Sequence, residues 1–309
     1  MHTASACGKV ILCGEHAVVY GMPALALPLH NLQATATASP AAGCSLHAPD
    51  LSWQHCFNST QTPDSAHPLA LTLWEGLRHF GLLNDSLPAA AVHVSSQIPI
   101  GRGLGSGAAI SAALFRVLAA YAGQPCILAE TLAFVHAQEM RYHGRPSGID
   151  GEVISRAQPL CFVRGAAPES LQIASGAVLL LGDSGPAPPT HEVVGAVRAG
   201  FEADPTHYQA LFEAIGQLSR SARAALASGD WPELGQCLNQ NHQLLQALQV
   251  SSPRLDQLVQ TAQDAGAWGA KLSGAGRGGL ALALCSPAKL AWVEAAWQAL
   301  DVRCWQLVL

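Results

Sequence analysis

A glycine-rich run that joins a predicted strand to a predicted helix constrains this chain more than any other feature. Val92 to Ser96 is typical of a strand, and Ala108 to Tyr121 is an Ala/Leu-rich helical stretch. Between them lies Pro99-Ile100-Gly101-Arg102-Gly103-Leu104-Gly105-Ser106-Gly107. Glycines let successive backbone N–H groups turn toward a ligand, and the following helix adds the positive end of its dipole. The pattern favours a phosphate-binding loop, although an ordinary tight turn explains the same glycines.

This run is not a Walker A loop, because the Gly-x-x-x-x-Gly-Lys-Ser/Thr pattern is absent. A second glycine segment, Lys271 to Gly279, matches Gly-x-Gly-x-x-Gly at residues 274, 276 and 279. A dinucleotide fold needs a helix after that pattern, whereas Leu280 to Leu284 continues as a strand-like run. We therefore reject a Rossmann fold and interpret the segment as a glycine turn that forms a second wall of a nucleotide site.

Length and composition are those of a compact enzyme with two lobes. The chain has 309 residues, of which 50% are hydrophobic and 12% charged. The net charge of −5 and the lack of a Lys/Arg-rich run argue against nucleic acid or an anionic membrane as a partner. No leader or spanning apolar stretch is present, so we expect a soluble, cytoplasmic protein. The nine cysteines lack a Cys-x-x-Cys pair and are expected to be reduced thiols.

The order of predicted elements indicates an α+β fold. Residues 9–29 alternate apolar runs with turn residues and predict a strand meander, and residues 127–142 predict a helix. After a predicted lobe boundary near residue 165, the pattern predicts helices, strands and turns in mixed order. These are a strand at 177–181, helices near 190–203, 206–228, 231–249 and 253–265, a strand at 280–285, a helix at 287–300 and a strand at 302–309.

Three charged residues near these segments are candidates for chemistry. Lys9 is one of only three lysines and lies just before Gly14-Glu15-His16, so it is either a catalytic cation or a solvated surface charge. Glu139 lies late on a predicted helix, and Asp150 follows the Pro-Ser-Gly break after that helix. The two carboxylates either lie on a solvated face or together hold a metal ion and accept a proton, as phosphoryl transfer requires.

Taken together, four ordered motifs resemble the GHMP kinases, in the form found in mevalonate kinases. The first is Lys9-Val10-Ile11-Leu12-Cys13-Gly14-Glu15-His16-Ala17-Val18-Val19-Tyr20-Gly21, the second is residues 99–109, the third is residues 271–279, and the fourth segment is Pro146-Ser147-Gly148-Ile149-Asp150. The resemblance implies a two-lobed fold, with a ribosomal protein S5 domain 2-like lobe at residues 1–165 and a ferredoxin-like lobe at residues 166–309. It also implies phosphorylation of mevalonate by Mg-ATP.

The resemblance also implies a role for each matching residue. Asp150 would be the catalytic carboxylate, and Lys9 would keep it ionised and lower the pKa of the substrate hydroxyl. Glu139 and Ser106 would hold Mg²⁺. Glu15, His16 and Arg164 would contact the substrate, with Arg145 and Arg156 as alternatives to Arg164 for its carboxylate. The ATP-binding loop would comprise Pro99, Ile100, Gly101, Arg102, Gly103, Leu104, Gly105, Ser106, Gly107, Ala108 and Ala109.

Two residues depart from the family pattern. Gly107 replaces a serine whose hydroxyl contacts metal or phosphate, and Arg277 stands where the third motif commonly has glycine. Two alternatives to mevalonate phosphorylation therefore stay open. One is a GHMP kinase for phosphomevalonate, homoserine or a sugar, and the other is an inactive nucleotide-binding relative. The expected partners are mevalonate, ATP and a second copy of the chain in a homodimer.

Overall fold

The computed structural model describes residues 1–63, 67–143 and 146–309, without the side chains of residues 142 and 143. Its chain divides into two compact units, each built from separate segments. The first unit comprises residues 1–8, 28–99 and 105–157, and the second comprises residues 9–27, 100–104 and 158–309. A single lobe boundary at residue 165 stays a prediction. No helix in the described ranges has the length and apolar content needed to cross a bilayer.

The strands and helices follow one another in mixed order along the chain. The strands are β1 His2–Cys13, β2 Ala24–Pro40, β3 Cys44–Ala48, β4 Trp53–Phe57, β5 Ala90–Ser96, β6 Leu160–Phe162, β7 Glu169–Ser170, β8 Val178–Gly185, β9 Gly269–Ser273, β10 Gly279–Cys285 and β11 Cys304–Val308. The α-helices are α1 Pro68–His79, α2 Ser106–Tyr121, α3 Leu128–His143, α4 Ile149–Arg156, α5 Thr190–Ala203, α6 Pro205–Ser228, α7 Trp231–Ala247, α8 Pro253–Asp264 and α9 Pro287–Gln298.

In the first unit, four strands lie in the order β4-β3-β5-β2, and helices α1, α3 and α4 all pack on α2. Strand β5 is antiparallel to β2 and parallel to β3. Helix α2 is apolar around most of its circumference, and eleven of its residues are buried. A helix of this kind has to lie in the interior of its unit. Its position fixes the end of the glycine-rich run that precedes it.

In the second unit, strands β8, β9, β10 and β11 form an antiparallel sheet in the order β11-β8-β10-β9. The chain passes through this sheet as strand, helices, two strands, helix and strand, which is the ferredoxin-like order that the sequence predicted. Trp297 of α9 is fully buried and donates its indole N–H to the carbonyl oxygen of Leu258 at 2.9 Å. Trp297 therefore belongs to a large apolar core that covers one face of this sheet.

The helices of the second unit begin where capping residues predict. Asp204, Asp230 and Ser252 each accept a hydrogen bond from a backbone N–H three residues further on. A proline follows each cap within the first two helical positions, where its missing N–H leaves no bond unmade. The predicted helices at 206–228, 231–249 and 253–265 are confirmed within two residues at each end.

Two local predictions were wrong. Residues Ala17–Tyr20 form a 3₁₀ helix rather than a strand of a meander, because the chain turns sharply between two residues with positive φ, His16 and Gly21. The loop expected after the Pro-Ser-Gly break is cut short at Ile149, where α4 begins directly after Gly148. This helix places Asp150 in a first helical turn, where a negative charge is favourable.

Candidate functional site

The first motif forms a tight turn directly after strand β1. Gly14 has a φ of 103°, and a side-chain carbon built on it would lie 2.5 Å from the Cα atom of Ala24, so only glycine fits. His16 also has positive φ, at 61°, which is unfavourable for a residue with a side chain. Both Glu15 and His16 are buried. The turn therefore directs two polar side chains into the second unit.

Glu15 forms a buried ion pair with Lys271 of strand β9. Their side chains are 1% and 0% exposed, respectively. Lys271 Nζ also donates to the carbonyl oxygen of Leu272 at 2.6 Å. A buried charge requires such partners because desolvation is costly. The pair therefore connects the first motif to strand β9, in which the third motif begins.

His16 is a neutral imidazole at pH 7. Burial lowers its pKa to about 4, and the nearby positive charges of Lys271 and Arg277 act in the same direction. Nε2 lies 2.8 Å from the carbonyl oxygen of Ala275, so the tautomer with a proton on Nε2 donates to that oxygen. The first and third motifs are thus joined a second time, through a hydrogen bond to a residue of the glycine segment.

The glycine segment at residues 274–279 lies directly against residues 100–104. A side-chain carbon built on Gly103 would lie 3.5 Å from the Cα atom of Gly274, so the two backbones pass close to each other. The two segments border a crevice, which we call the glycine crevice. It is lined by Gly101, Arg102, Gly103, Ala187, Pro188, Thr190, Ser273, Ala275, Gly276, Gly278 and Gly279. A wall this rich in bare backbone suits an anion that accepts several N–H groups.

Lys9 and Ser273 tie strand β1 to the two walls of the crevice. The backbone N–H of Lys9 donates to the carbonyl oxygen of Leu104 at 3.0 Å, and the Lys9 side chain is 3% exposed. The Ser273 hydroxyl donates to the carbonyl oxygen of Ile11 at 2.8 Å. Lys9 is therefore a buried residue of the site region and not the solvated surface charge that the sequence left open.

In the first unit, Gly105 and Ser106 open helix α2. Gly105 has a φ of 74°, and its carbonyl accepts the N–H of Ala109 at 2.9 Å. Ser106 is half-buried, Gly107 is exposed, and Ala108 and Ala109 face the interior. The N–H groups of the first turn and the helix dipole together present positive charge at this end.

Glu139 and Asp150 are brought together by α3 and α4, which pack on each other within the first unit. The Glu139 side chain is 7% exposed, and a side-chain carbon built on Gly151, the residue after Asp150, would lie 3.3 Å from Glu139 Oε2. The solvated-face interpretation of Glu139 is therefore wrong. Its carboxylate lies beside the first turn of α4, which carries Asp150.

The oxygen donors here fit magnesium. Mg²⁺ binds hard oxygen ligands, keeps several waters and takes only one or two protein carboxylates beside substrate phosphates. Among the described residues no group of three or more His, Cys, Asp or Glu side chains is placed to hold a metal ion. A protein cage for a tightly held metal is thus absent from that part of the chain, whereas a nucleotide-borne Mg²⁺ needs no such cage.

The arginines proposed for the substrate carboxylate differ in their surroundings. Arg164 is exposed, and its Nη1 donates to the carbonyl oxygen of Val19 at 3.4 Å. Arg156 is paired with Glu152 on the same helix, with 2.7 Å between Nε and Oε2. Arg145 lies outside the described residues. Arg164 retains an accessible guanidinium next to the first motif, which leaves it the better candidate of the two that are described.

Sequence reasoning missed the residues that complete the second unit's site. Asp183 of strand β8 pairs with Arg102, with 2.7 Å between Arg102 Nε and Asp183 Oδ1. Ala187 and Pro188, which precede α5, and Thr190, its first residue, also line the glycine crevice. A single carboxylate at the end of an apolar strand carries no local signal, so only the three-dimensional structure identifies it. The scarcity of lysine was the one signal that pointed to Lys271.

Family models match both halves of the chain. Residues 69–154 match the model described as "GHMP kinases N terminal domain", and residues 222–301 match "GHMP kinases C terminal". The matched ranges include Ser106, Glu139 and Asp150 on one side and the third glycine segment on the other. The N-terminal match precedes the C-terminal match along the chain, as their descriptions require.

Individual relatives carry the same likeness. A mevalonate kinase from Pyrococcus horikoshii is 33% identical over 303 residues, which cover 91% of this chain and 88% of that protein. The crystal structure of L. major mevalonate kinase in complex with R-mevalonate has a TM-score of 0.82 and 25% identity, and the match covers 100% and 96% of the two chains. A Streptococcus pneumoniae phosphomevalonate kinase has a TM-score of 0.84 at 16% identity, with full coverage of both chains, and so shares the fold.

Proposed function

This chain belongs to the GHMP kinases, and within them to the mevalonate kinase family, and from that premise we propose that it phosphorylates (R)-mevalonate with ATP to give 5-phosphomevalonate. The observation that carries the phosphoryl-transfer part is the close approach of Gly103 and Gly274. Two glycine walls that meet in this way offer backbone N–H groups to a polyphosphate from two sides. The identity of the acceptor is proposed from the relatives.

We assign the transfer of the proton to Asp150. Phosphoryl transfer needs a carboxylate that orients the acceptor hydroxyl and takes its proton, while most of the catalysis comes from positioning and charge stabilisation. Asp150 lies in the first turn of α4, whose N-terminal N–H groups present positive charge. Lys9 is proposed as a cation of the same reaction, and its burial supports a role other than solubility.

We propose Glu139 and Ser106 as the protein's ligands for Mg²⁺. Bound there, Mg²⁺ would neutralise the negative charge that develops on the phosphates during transfer. Glu139 supplies a buried carboxylate, and Ser106 supplies a hydroxyl at the start of α2. Gly107 has no side-chain oxygen, so at this turn Ser106 alone offers a hydroxyl to the metal ion.

Glu15, His16 and Arg164 remain the residues proposed for the substrate side. The described contacts of Glu15 and His16 are with the strand and loop of the third motif. We therefore propose that His16 shapes the site by fixing Ala275, a residue of the glycine crevice, and that Glu15 does so by fixing Lys271 of strand β9. Arg164 would pair with the substrate carboxylate, since a planar guanidinium matches a carboxylate in bidentate fashion.

A second acceptor is the main alternative, because a phosphomevalonate kinase shares this fold. The test is ADP release measured in a coupled assay with mevalonate, phosphomevalonate and homoserine, each in turn. We expect ADP with mevalonate and only background with the other two. Turnover with phosphomevalonate or homoserine and none with mevalonate would overturn the proposed acceptor.

The same assay tests the role of Asp150 with a matched pair of variants. Asp150→Asn should lower kcat by about 10² to 10⁴, since it removes the general base. Glu152→Gln changes a second carboxylate in the first turn of α4, whose described contact is the ion pair with Arg156. It should leave kcat within about twofold of wild type, as expected for a partly exposed pair. Equal kcat values for Asp150→Asn and wild type would contradict the assignment.

A further inference from the structure

Two histidines lie side by side on the solvent-facing side of the first unit's sheet. His47 of strand β3 and His93 of strand β5 are directly paired in the parallel ladder between these strands. The residues before them, Leu46 and Val92, are buried. His47 is half-buried and His93 is exposed. Because side chains alternate between the two faces of a strand, both imidazoles point away from the core.

The two rings approach each other through the same nitrogen. His47 Nδ1 lies 3.2 Å from His93 Nδ1, and the ring planes are 83° apart with their centroids separated by 5.0 Å. Two imidazolium rings could not approach in this way, because both Nδ1 atoms would then carry protons. In the hydrogen bond, one Nδ1 therefore donates a proton to the lone pair of the other, and at least one ring is neutral.

The separation of the two nitrogens also matches that of two ligands of one metal ion. Zn²⁺ binds histidine nitrogen at about 2.0–2.1 Å in a tetrahedral arrangement, which places two such nitrogens about 3.3 Å apart. The distance between the two Nδ1 atoms is 3.2 Å. Because the χ2 torsion of histidine is broad, small rotations of the rings can aim both lone pairs at one point. The backbone thus already holds the two donors at the spacing that a metal ion requires.

The neighbours of the pair leave the other coordination positions to water. Gln54 of strand β4 is paired with His47, and Thr37 of strand β2 is paired with His93. Neither of these two side chains carries a positive charge that would repel a metal ion. In the part of the chain that the structure describes, no third His, Cys, Asp or Glu side chain completes a group for a metal ion. Two nitrogens and several waters make an open, exchangeable site.

We propose that His47 and His93 together bind one divalent transition-metal ion, such as Zn²⁺, through their Nδ1 atoms. The ring that donates in the hydrogen bond exchanges its Nδ1 proton with water and carries a proton on Nε2 instead, so both Nδ1 lone pairs face the metal. Imidazole suits zinc, copper and nickel, whereas Mg²⁺ prefers oxygen ligands. The site is therefore separate from the Mg²⁺ proposed for phosphoryl transfer, and it does not depend on which acceptor the enzyme uses.

The experiment is a calorimetric titration of the full-length protein, without a histidine tag, with Zn²⁺ in a buffer that contains Mg²⁺ and no chelator. His47→Gln and His93→Gln should each weaken Zn²⁺ binding by about 10- to 100-fold, at least the cost of losing an outer contact of a metal site. The double variant should lie close to the single variants, because one imidazole alone does not chelate. Two independent weak sites would instead lose stoichiometry one at a time.

Matched controls come from the same unit. His30 is an exposed histidine of strand β2, and His30→Gln should leave Zn²⁺ affinity unchanged. Cys56 of strand β4 is an exposed thiol paired with Ser45, two residues before His47. Cys56→Ser should also bind Zn²⁺ as wild type does. X-ray absorption of the zinc complex should show nitrogen and oxygen ligands at about 2.0–2.1 Å and no sulfur at about 2.3 Å.

Three results would overturn the inference. The first is wild-type Zn²⁺ affinity in either His47→Gln or His93→Gln. The second is an equal loss in His30→Gln, which indicates binding to scattered surface histidines. The third is a sulfur ligand in the absorption spectrum or an equal loss in Cys56→Ser, which assigns the metal to a thiolate. Circular dichroism of each variant without Zn²⁺ checks that it is folded, and the titration needs neither nucleotide nor turnover.

Discussion

The Glu15 carboxylate and the Lys271 ammonium form an ion pair in which neither side chain is more than 1% exposed. The two residues lie 256 positions apart in the sequence. Glu15 belongs to the turn after β1, and Lys271 belongs to strand β9. Because Lys271 also donates to Leu272, its charge is held by two oxygens at once. The pair thus holds the first and third motifs together.

Removal of one partner of this pair should destabilise the protein strongly. Lys271→Met leaves the Glu15 carboxylate buried without its counter-ion, and such changes cost about 3–5 kcal/mol. Glu15→Gln/Lys271→Met carries no buried charge and should recover part of that loss. Urea denaturation measures both. An exposed pair, Arg198 and Glu202, provides the control, since Glu202→Gln should change the free energy of unfolding by less than about 1 kcal/mol. A double variant as unstable as Lys271→Met would contradict the charge argument.

Stability should fall as the pH is lowered from about 6.5 to about 4. His16 has a pKa of about 4 in the folded protein, against 6.5 as its ordinary value. Between these values the unfolded chain binds a proton that the folded protein does not, so stability decreases with falling pH and levels off below about 4. A shift of this size corresponds to roughly 3 kcal/mol. Burial also lowers the pKa of His242, which adds loss in the same direction.

His16→Asn tests this assignment. Asparagine tolerates positive φ better than most residues and does not titrate here. The variant should be less stable than wild type at pH 7.5, because the bond to Ala275 is lost, and its stability should depend less steeply on pH between 6.5 and 4. Urea titrations at four pH values measure the slope. A slope equal to that of wild type would assign the acid sensitivity to other groups.

Gly182 is required by the packing of the second unit's core. A side-chain carbon built there would lie 2.7 Å from two ring atoms of Trp297 and 3.0 Å from Val302 Cγ1. Gly182→Ala should therefore lower the free energy of unfolding by about 1–3 kcal/mol through overpacking. Gly195, in α5, has open space around the same position, so Gly195→Ala should be neutral or stabilising by up to about 1 kcal/mol. Thermal unfolding of the two variants measures the contrast.

Much of the fold follows from local sequence signals. The caps and prolines at Asp204, Asp230 and Ser252 act within four residues, so helix starts in the second unit are readable from the chain alone. The run Leu280 to Leu284 is apolar and follows glycines, and it forms a strand as predicted. By contrast, the four apolar residues from Ala17 to Tyr20 are too short a run to show a period. Their 3₁₀ conformation is set by the turn on either side.

The site was predictable in part. The charge and placement of Lys9, Glu139 and Asp150 made them candidates with a solvated surface as the alternative, and the family resemblance implied their roles. The structure shows that Lys9 and Glu139 are buried and that Asp150 lies in the first turn of α4. The pairing of Arg102 with Asp183 joins a loop to a distant strand, and no property of either residue's neighbours in sequence indicates the other. Long-range ion pairs of this kind depend on sheet register, such as that between Leu280 and Asp183, which sequence does not state.

Gly107 is the departure whose effect the structure makes testable. It lies exposed in the first turn of α2, and a side-chain carbon built on it would meet no atom within 4 Å. Its φ does not lie in the left-handed region, so a larger residue fits without strain. Gly107→Ala should stabilise the protein by about 0.5–1 kcal/mol, because glycine loses more backbone entropy in a helix.

Gly107→Ser separates that stabilisation from chemistry. It adds a hydroxyl beside Ser106 at the end of the phosphate loop, whereas Gly107→Ala adds only the side-chain carbon. If the missing hydroxyl limits the contact with metal or phosphate, Gly107→Ser should exceed Gly107→Ala in kcat/KM for ATP by about 3- to 10-fold, the range for one hydrogen bond to a charged group. The two substitutions relieve the same backbone cost and differ in one oxygen atom. Equal kcat/KM values for the two variants would therefore mean that Ser106 and Arg102 already supply the contact that a serine hydroxyl at position 107 would make.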